Sequence, residues 1–252
     1  MASFIGLDIA FLAIWAFANK KIVSASATQL SRSSRVSLFA GSTIWLICVA
    51  DPLAKLSSQN FSAHAMTQLT VMMVAAPLLV LGLRHSPGPT NPIFIRLTHP
   101  VISWAIFVTV LITIYLPNYV GWAIQNPLLA RLVVAIILPA VSALYFWPIL
   151  QISASNFPYA LRIMSLFFMM IPETMIGFFI YIQNRVVYDD ILTGATTTDL
   201  LSQQQLGGAL MWSLSMVVDS VWIALAVRVW FDSEKRKGEI ITQEILNEQN
   251  SN

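Results

Sequence analysis

The chain has 252 residues, 57% of them hydrophobic and 10% charged, with a mean hydropathy of +0.71 and a formal net charge of +2. So little polar surface cannot cover a soluble globule of this size, and the solvent it implies is a lipid bilayer. The lone cysteine, Cys48, excludes an internal disulfide and any CxxC motif, and as a single residue in an apolar run it reads as a small buried hydrophobe.

A spanning helix takes about 20 apolar residues, and the runs of sufficient length predict seven spans: 4–18, 36–53, 61–83, 100–116, 128–150, 161–182 and 206–231. The fold class expected is all-α, a polytopic integral membrane helix bundle forming a single transmembrane domain over residues 1–252. The first run is short, and Ala25 and Ala27 lie downstream as in a cleavable leader. No Lys or Arg precedes it, however, while Lys20 and Lys21 follow it, the reverse of a leader's charge order, so a retained span is expected.

The basic residues then orient the bundle. Of the 14 Lys and Arg, all but Lys55, Arg131 and Arg185 fall on the side that carries the 19–35 and 84–99 connections and the tail. The positive-inside rule places the N-terminus outside and the C-terminus in the cytoplasm. The cytoplasmic tail, residues 232–252, is charged, and Ile240, Ile241, Ile245 and Leu246 are spaced for a short amphipathic helix, which is expected either to lie on the cytoplasmic surface or to fade into disorder. Neither a glycine-rich phosphate loop nor a nucleophile elbow occurs, so no enzymatic activity and no nucleic-acid partner are expected.

The third span opens AHAMTQLTVMM, with His64, Gln68 and Met72 along one helical stripe. With the N-terminus outside, that stripe descends from the outer face. The same level holds Asp8, Asp51, Tyr188, Asp189 and Asp190, together with Gln203, Gln204 and Gln205 at the mouth of the last span. Imidazole and thioether are ligands that suit copper, so His64 and Met72 are the metal-ligand candidates, with Met66, Met73, Met169, Met170 and Met175 as further thioethers. The alternative is that the stripe packs against neighbouring helices. Glu173 and Asp219 each lie about a dozen residues into a span, where a charge is costly unless paired or protonated. If the last two spans are neighbours, as their short connection suggests, the two carboxylates could share a proton or one could accept from Tyr181 or Ser215, as a proton relay or as a hydrogen-bonded helix contact, with Gly177, Gly207 and Gly208 permitting close helix approach.

Three segments resemble the CtaG-type cytochrome c oxidase assembly factors. DPLAKLSSQNFSAHAMTQLTVMMVAAPLLVLG, residues 51–82, is similar to the family's His-Met-x-Gln-His-Met-Leu-Leu span with its Pro-Leu-Leu-x-Leu-Gly ending. ALYFWPIL, residues 143–150, resembles the Trp-Trp-Pro end of its fifth span, and LSQQQLGGALMW, residues 201–212, the Asp-Gln-Gln-Leu-Gly-Gly-x-x-Met-Trp start of the last. The resemblance implies a multi-pass protein of the cell inner (plasma) membrane that assists assembly of, or copper delivery to, a haem-copper oxidase from the outer side. It implies copper as the metal handled and that oxidase as partner.

The departures weaken the copper implication. The family's second histidine falls on Gln68, its aspartate before the paired glutamines on Gln203, and the fifth span has no histidine. The alternative function is therefore a non-catalytic accessory subunit of a respiratory or other energy-converting membrane complex with a degenerate copper site. A transporter, resting only on Glu173 and Asp219, is a third reading.

Overall fold

The computed structural model describes residues 2–24, 30–83, 91–150, 158–188 and 197–251. These residues form α1 (Ala2–Ser24), α2 (Arg32–Val49), α3 (Leu53–Ser57), α4 (Phe61–Thr70), α5 (Ala76–Gly82), α6 (Pro92–Leu97), α7 (Pro100–Ile114), α8 (Pro117–Gln125), α9 (Pro127–Leu132), α10 (Leu138–Leu150), α11 (Tyr159–Tyr181) and α12 (Thr197–Ser251). No strand occurs among them. Helix starts follow from the sequence. Ser31, Asn60 and Asn91 each accept a main-chain N–H of the following turn, and Pro92, Pro100, Pro117 and Pro127 stand at first helical positions, where a missing N–H costs nothing.

Four helical stretches among the described residues are long and apolar enough to cross a membrane: Phe61–Gly82, Pro127–Leu150, Tyr159–Tyr181 and Asp199–Lys235. Pro100–Ile114 with Pro117–Gln125 makes a fifth if taken together, bent by 68°. The chain is thus an all-helical, multi-pass membrane protein. The bend lies where the fourth expected span ended, because Pro117 has no N–H to continue the ladder of α7. α1 and α2 occupy the first two expected runs. The last helix departs from expectation: it starts at Thr197 and runs unbroken for 55 residues. At 1.5 Å per residue it is about 80 Å long, far beyond a bilayer's ~30 Å core. The expected short tail helix is therefore its continuation.

Two spans carry π-helical turns, Val71–Ala75 between α4 and α5 and Val133–Ile137 between α9 and α10. A π turn disturbs the regular carbonyl ladder, and here donors from other helices bond carbonyls of these turns. Trp222 Nε1 donates to the Met73 carbonyl at 2.8 Å and Trp45 Nε1 to the Ala135 carbonyl at 2.9 Å, while the Ser142 hydroxyl donates to the Met72 carbonyl. These bonds tie α12, α2 and α10 to the π-containing spans.

The α4–α5 span is the most buried of the candidate spans. α11 and α12 pack with their backbones in touch: a Cβ on Gly177 would lie 2.7 Å from the Trp212 amide nitrogen, and one on Gly208 2.6 Å from that of Tyr181. Only glycine fits this approach, which supplies dispersion contact where lipid offers no hydrophobic drive.

Candidate functional site

Near the start of α4 the structure encloses a cavity of about 460 Å³ between α1, α2, α3, α4, α8 and α9. Its wall includes Cys48, Asp51, His64, Thr67, Gln68, Tyr119 and Arg131. The capped start of α4 sets His64 and Gln68 one regular turn apart, and both are buried. The Gln68 amide nitrogen lies 3.0 Å from His64 Nε2. An amide nitrogen only donates, so His64 Nε2 is the acceptor and Nδ1 carries the ring proton. Gln68 therefore presents its NH₂ group to the imidazole, and its Oε1, turned away, has no partner among the described residues. His64 has no free lone pair in this arrangement.

Opposite stands Arg131, buried at 5% exposure in the second turn after Pro127. Its Nε donates to the Val49 carbonyl at 2.6 Å, Nη2 pairs with Asp8, and the guanidinium lies 5.3 Å from the Phe11 ring centroid. Asp8 also accepts the Asp51 amide at 3.3 Å. One carboxylate thus fastens α1, the end of α2 and α9 around a buried cation, which could not be left unpaired.

Met72 does not join His64 and Gln68. It falls in the π turn, where the 100° periodicity fails, and its side chain sits in the apolar core at 1% exposure and not on the cavity wall. Met73 and Met169 are likewise core, and Met175 is 44% exposed on the outer surface of the bundle. Among the described residues no group of three or more His, Cys, Asp or Glu gathers as a metal site.

The other candidates separate. Asp51 is on the cavity rim. Gln204 is buried, accepting the Val187 amide at 2.8 Å and donating to the Arg185 carbonyl at 3.1 Å, and Gln205 donates to the Gln183 carbonyl. The paired glutamines therefore fasten the chain after α11 to α12. Tyr188 stacks on Phe61 with centroids 4.2 Å apart and donates to the Tyr115 carbonyl at 2.7 Å, and this burial pushes its phenol up. Asp189 and Asp190 lie outside the described residues.

Glu173 and Asp219 meet at the α11–α12 interface, each fully buried, and neither lines the cavity. Neither expected donor serves them. Ser215 donates to the Met211 carbonyl, and Tyr181 is 43% exposed.

Sequence reasoning missed four residues of the cavity wall. Cys48 was set aside for want of a second cysteine, Thr67 and Tyr119 carry no motif, and Arg131 entered only the charge count, although an arginine in an apolar run is itself a signal.

No curated protein and no solved structure matches the chain. The family model of the cytochrome c oxidase caa3 assembly factor (Caa3_CtaG) matches residues 9–233, most of the chain, including every residue of the cavity wall except Ile5. The chain belongs to the Caa3_CtaG family of cytochrome c oxidase assembly factors.

Proposed function

We propose that this chain is a non-enzymatic helper in the assembly of a haem-copper oxidase, working at the outer side of the cell inner membrane. It crosses seven times, α1 and α2 supplying the first two crossings, with the N-terminus outside and the C-terminus cytoplasmic. The asymmetry of Lys and Arg supports this orientation, and the cavity with Asp8, Asp51 and Lys55 then lies at the outer end. The observation that carries the reading is this cavity, its wall including the His64–Gln68 pair, in a chain whose family assists oxidase assembly.

Copper as cargo fits this donor set poorly. The lone pair of His64 is engaged by Gln68, Met72 is in the core, and Cys48 is the one soft donor on the wall. The client in this proposal is therefore a nascent oxidase subunit, with the metal loaded elsewhere. The same engaged histidine also favours the second reading, a lasting accessory subunit.

Deleting the gene and measuring haem-copper oxidase in the membranes tests both. A fall in assembled oxidase supports the helper when the tagged chain co-purifies with incomplete oxidase and is absent from the mature enzyme. Stoichiometric retention in the mature complex supports the subunit. An unchanged oxidase level with no oxidase subunit co-purifying overturns both.

A further inference from the structure

We propose that the cavity is a binding site for one membrane phospholipid, with an acyl segment against its apolar wall and the ester and phosphate oxygens at its polar wall. The proposal stands apart from the oxidase reading, since it concerns what the cavity holds whoever the client is. Three observations carry it.

The first is size. At about 460 Å³ the cavity is in the range of small-molecule sites, whereas a water's share of liquid volume is about 30 Å³. The second is its unpaired polar atoms. Thr67 Oγ1, Gln68 Oε1, Tyr119 OH and Arg131 Nη1 are all buried, all belong to wall residues, and none has a partner among the described residues. Thr67, Gln68 and Arg131 are 3%, 1% and 5% exposed. Unpaired buried groups of this kind call for an occupant. Three of the four can donate, so the occupant brings acceptor oxygens, as glycerol esters and a phosphate do. The Gln68 oxygen calls for a donor, which an ethanolamine ammonium or a glycerol hydroxyl carries. Asp8 already balances Arg131, so a bare anion is not required.

The third observation is access. Ile5 of α1, 60% exposed on the apolar surface, forms one edge of the cavity, while the exposed Asp51 and Lys55 form another. Tyr119 stands beside Trp122, ring centroids 5.6 Å apart, on the same short helix. An apolar edge, a charged edge and a Tyr–Trp pair together match the headgroup boundary of a bilayer, where a lipid would enter head and tail in the right order.

The test uses the full chain purified in dodecyl maltoside, delipidated, and offered phosphatidylethanolamine and phosphatidylglycerol, with retained lipid read by native mass spectrometry. The wild type is expected to keep a phospholipid through detergent exchange. Thr67→Val with Tyr119→Phe should lower retention by about tenfold, the scale of two lost hydrogen bonds. Ile5→Trp, which narrows the apolar edge without touching a polar atom, should lower it too. Tyr119→Phe alone removes a hydroxyl that has no partner among the described residues and guards against a folding failure of the double variant. No retained lipid in the wild type, retention equal in all four proteins, or inorganic phosphate displacing the lipid at millimolar concentration would each overturn the proposal.

Discussion

Glu173 of α11 and Asp219 of α12 face each other carboxyl to carboxyl, both fully buried, and none of their four oxygens takes a donor from any other described residue. The nearby phenols are committed elsewhere, Tyr145 to the Ser165 carbonyl and Tyr115 to the Ala65 carbonyl. A hydrogen bond between the two therefore needs a proton on one of them, and a pair so protonated would clamp α11 to α12 one turn from the Gly177–Gly208 approach. An amide donates as a protonated carboxyl does, so Glu173→Gln and Asp219→Asn should keep the folded yield. Alanine at either site strands the survivor and should cost about 1–3 kcal/mol. Thermal unfolding in detergent checks this, and alanine and amide variants with the same midpoint would refute the clamp.

The cation of Arg131 gives a complementary expectation. Arg131→Leu leaves Asp8 without its cation, and Asp8→Leu leaves a buried guanidinium without its carboxylate. Breaking a buried pair costs about 3–5 kcal/mol, whereas replacing both members with apolar groups can be close to neutral. Because the Asp8 side chain is 22% exposed and keeps some water when left alone, whereas the Arg131 side chain is 4% exposed, Arg131→Leu should be the milder single change. A double variant less stable than both singles in a melting series would show that the pair does not act as a unit.

What was legible in the sequence follows from the periodicities it obeys. Apolar runs announced the helices, and the regular turn of α4 let His64 and Gln68 be placed together by counting four residues. The same count failed at Met72 because the π turn adds a residue per turn, and nothing in VMMVA distinguishes π from α. Cys48 and Thr67 could not be assigned to the cavity because its wall is built from helices distant in sequence, which a single chain read linearly does not bring together. Arg131 was different: its position within an apolar run was visible, and only its partner Asp8, 123 residues away, required the fold.

The π turns predict a graded loss. Trp222→Phe keeps an aromatic side chain, though a smaller one, and removes the donor on the Met73 carbonyl, and Ser142→Ala removes the one on the Met72 carbonyl. Each should cost about 1 kcal/mol. Because the two carbonyls are adjacent in one π turn, the double variant should lose more than the sum. Additive losses in a double-mutant cycle would mean that the turn does not depend on the two bonds jointly.

Gln68 decides how much of the family's metal chemistry this cavity retains. In the wild type its amide occupies the acceptor nitrogen of His64, so purified protein should carry copper only at background. Gln68→His puts a second imidazole one turn from the first on the same face, beside a wall that holds the Cys48 thiol, and these are donors that suit Cu(I). Copper retained after dialysis against a weak chelator should rise at least about tenfold, the effect of roughly 1.4 kcal/mol in affinity. Adding His64→Ala to that variant should return it to background, which separates a site at these residues from adventitious binding. Gln68→Leu frees Nε2 without supplying a ligand and should raise copper far less, because one imidazole and one thiol must then hold the metal alone. Copper bound stoichiometrically by the wild type and lost in His64→Ala would show that copper displaces Gln68 unaided, and the chain would then be a copper carrier.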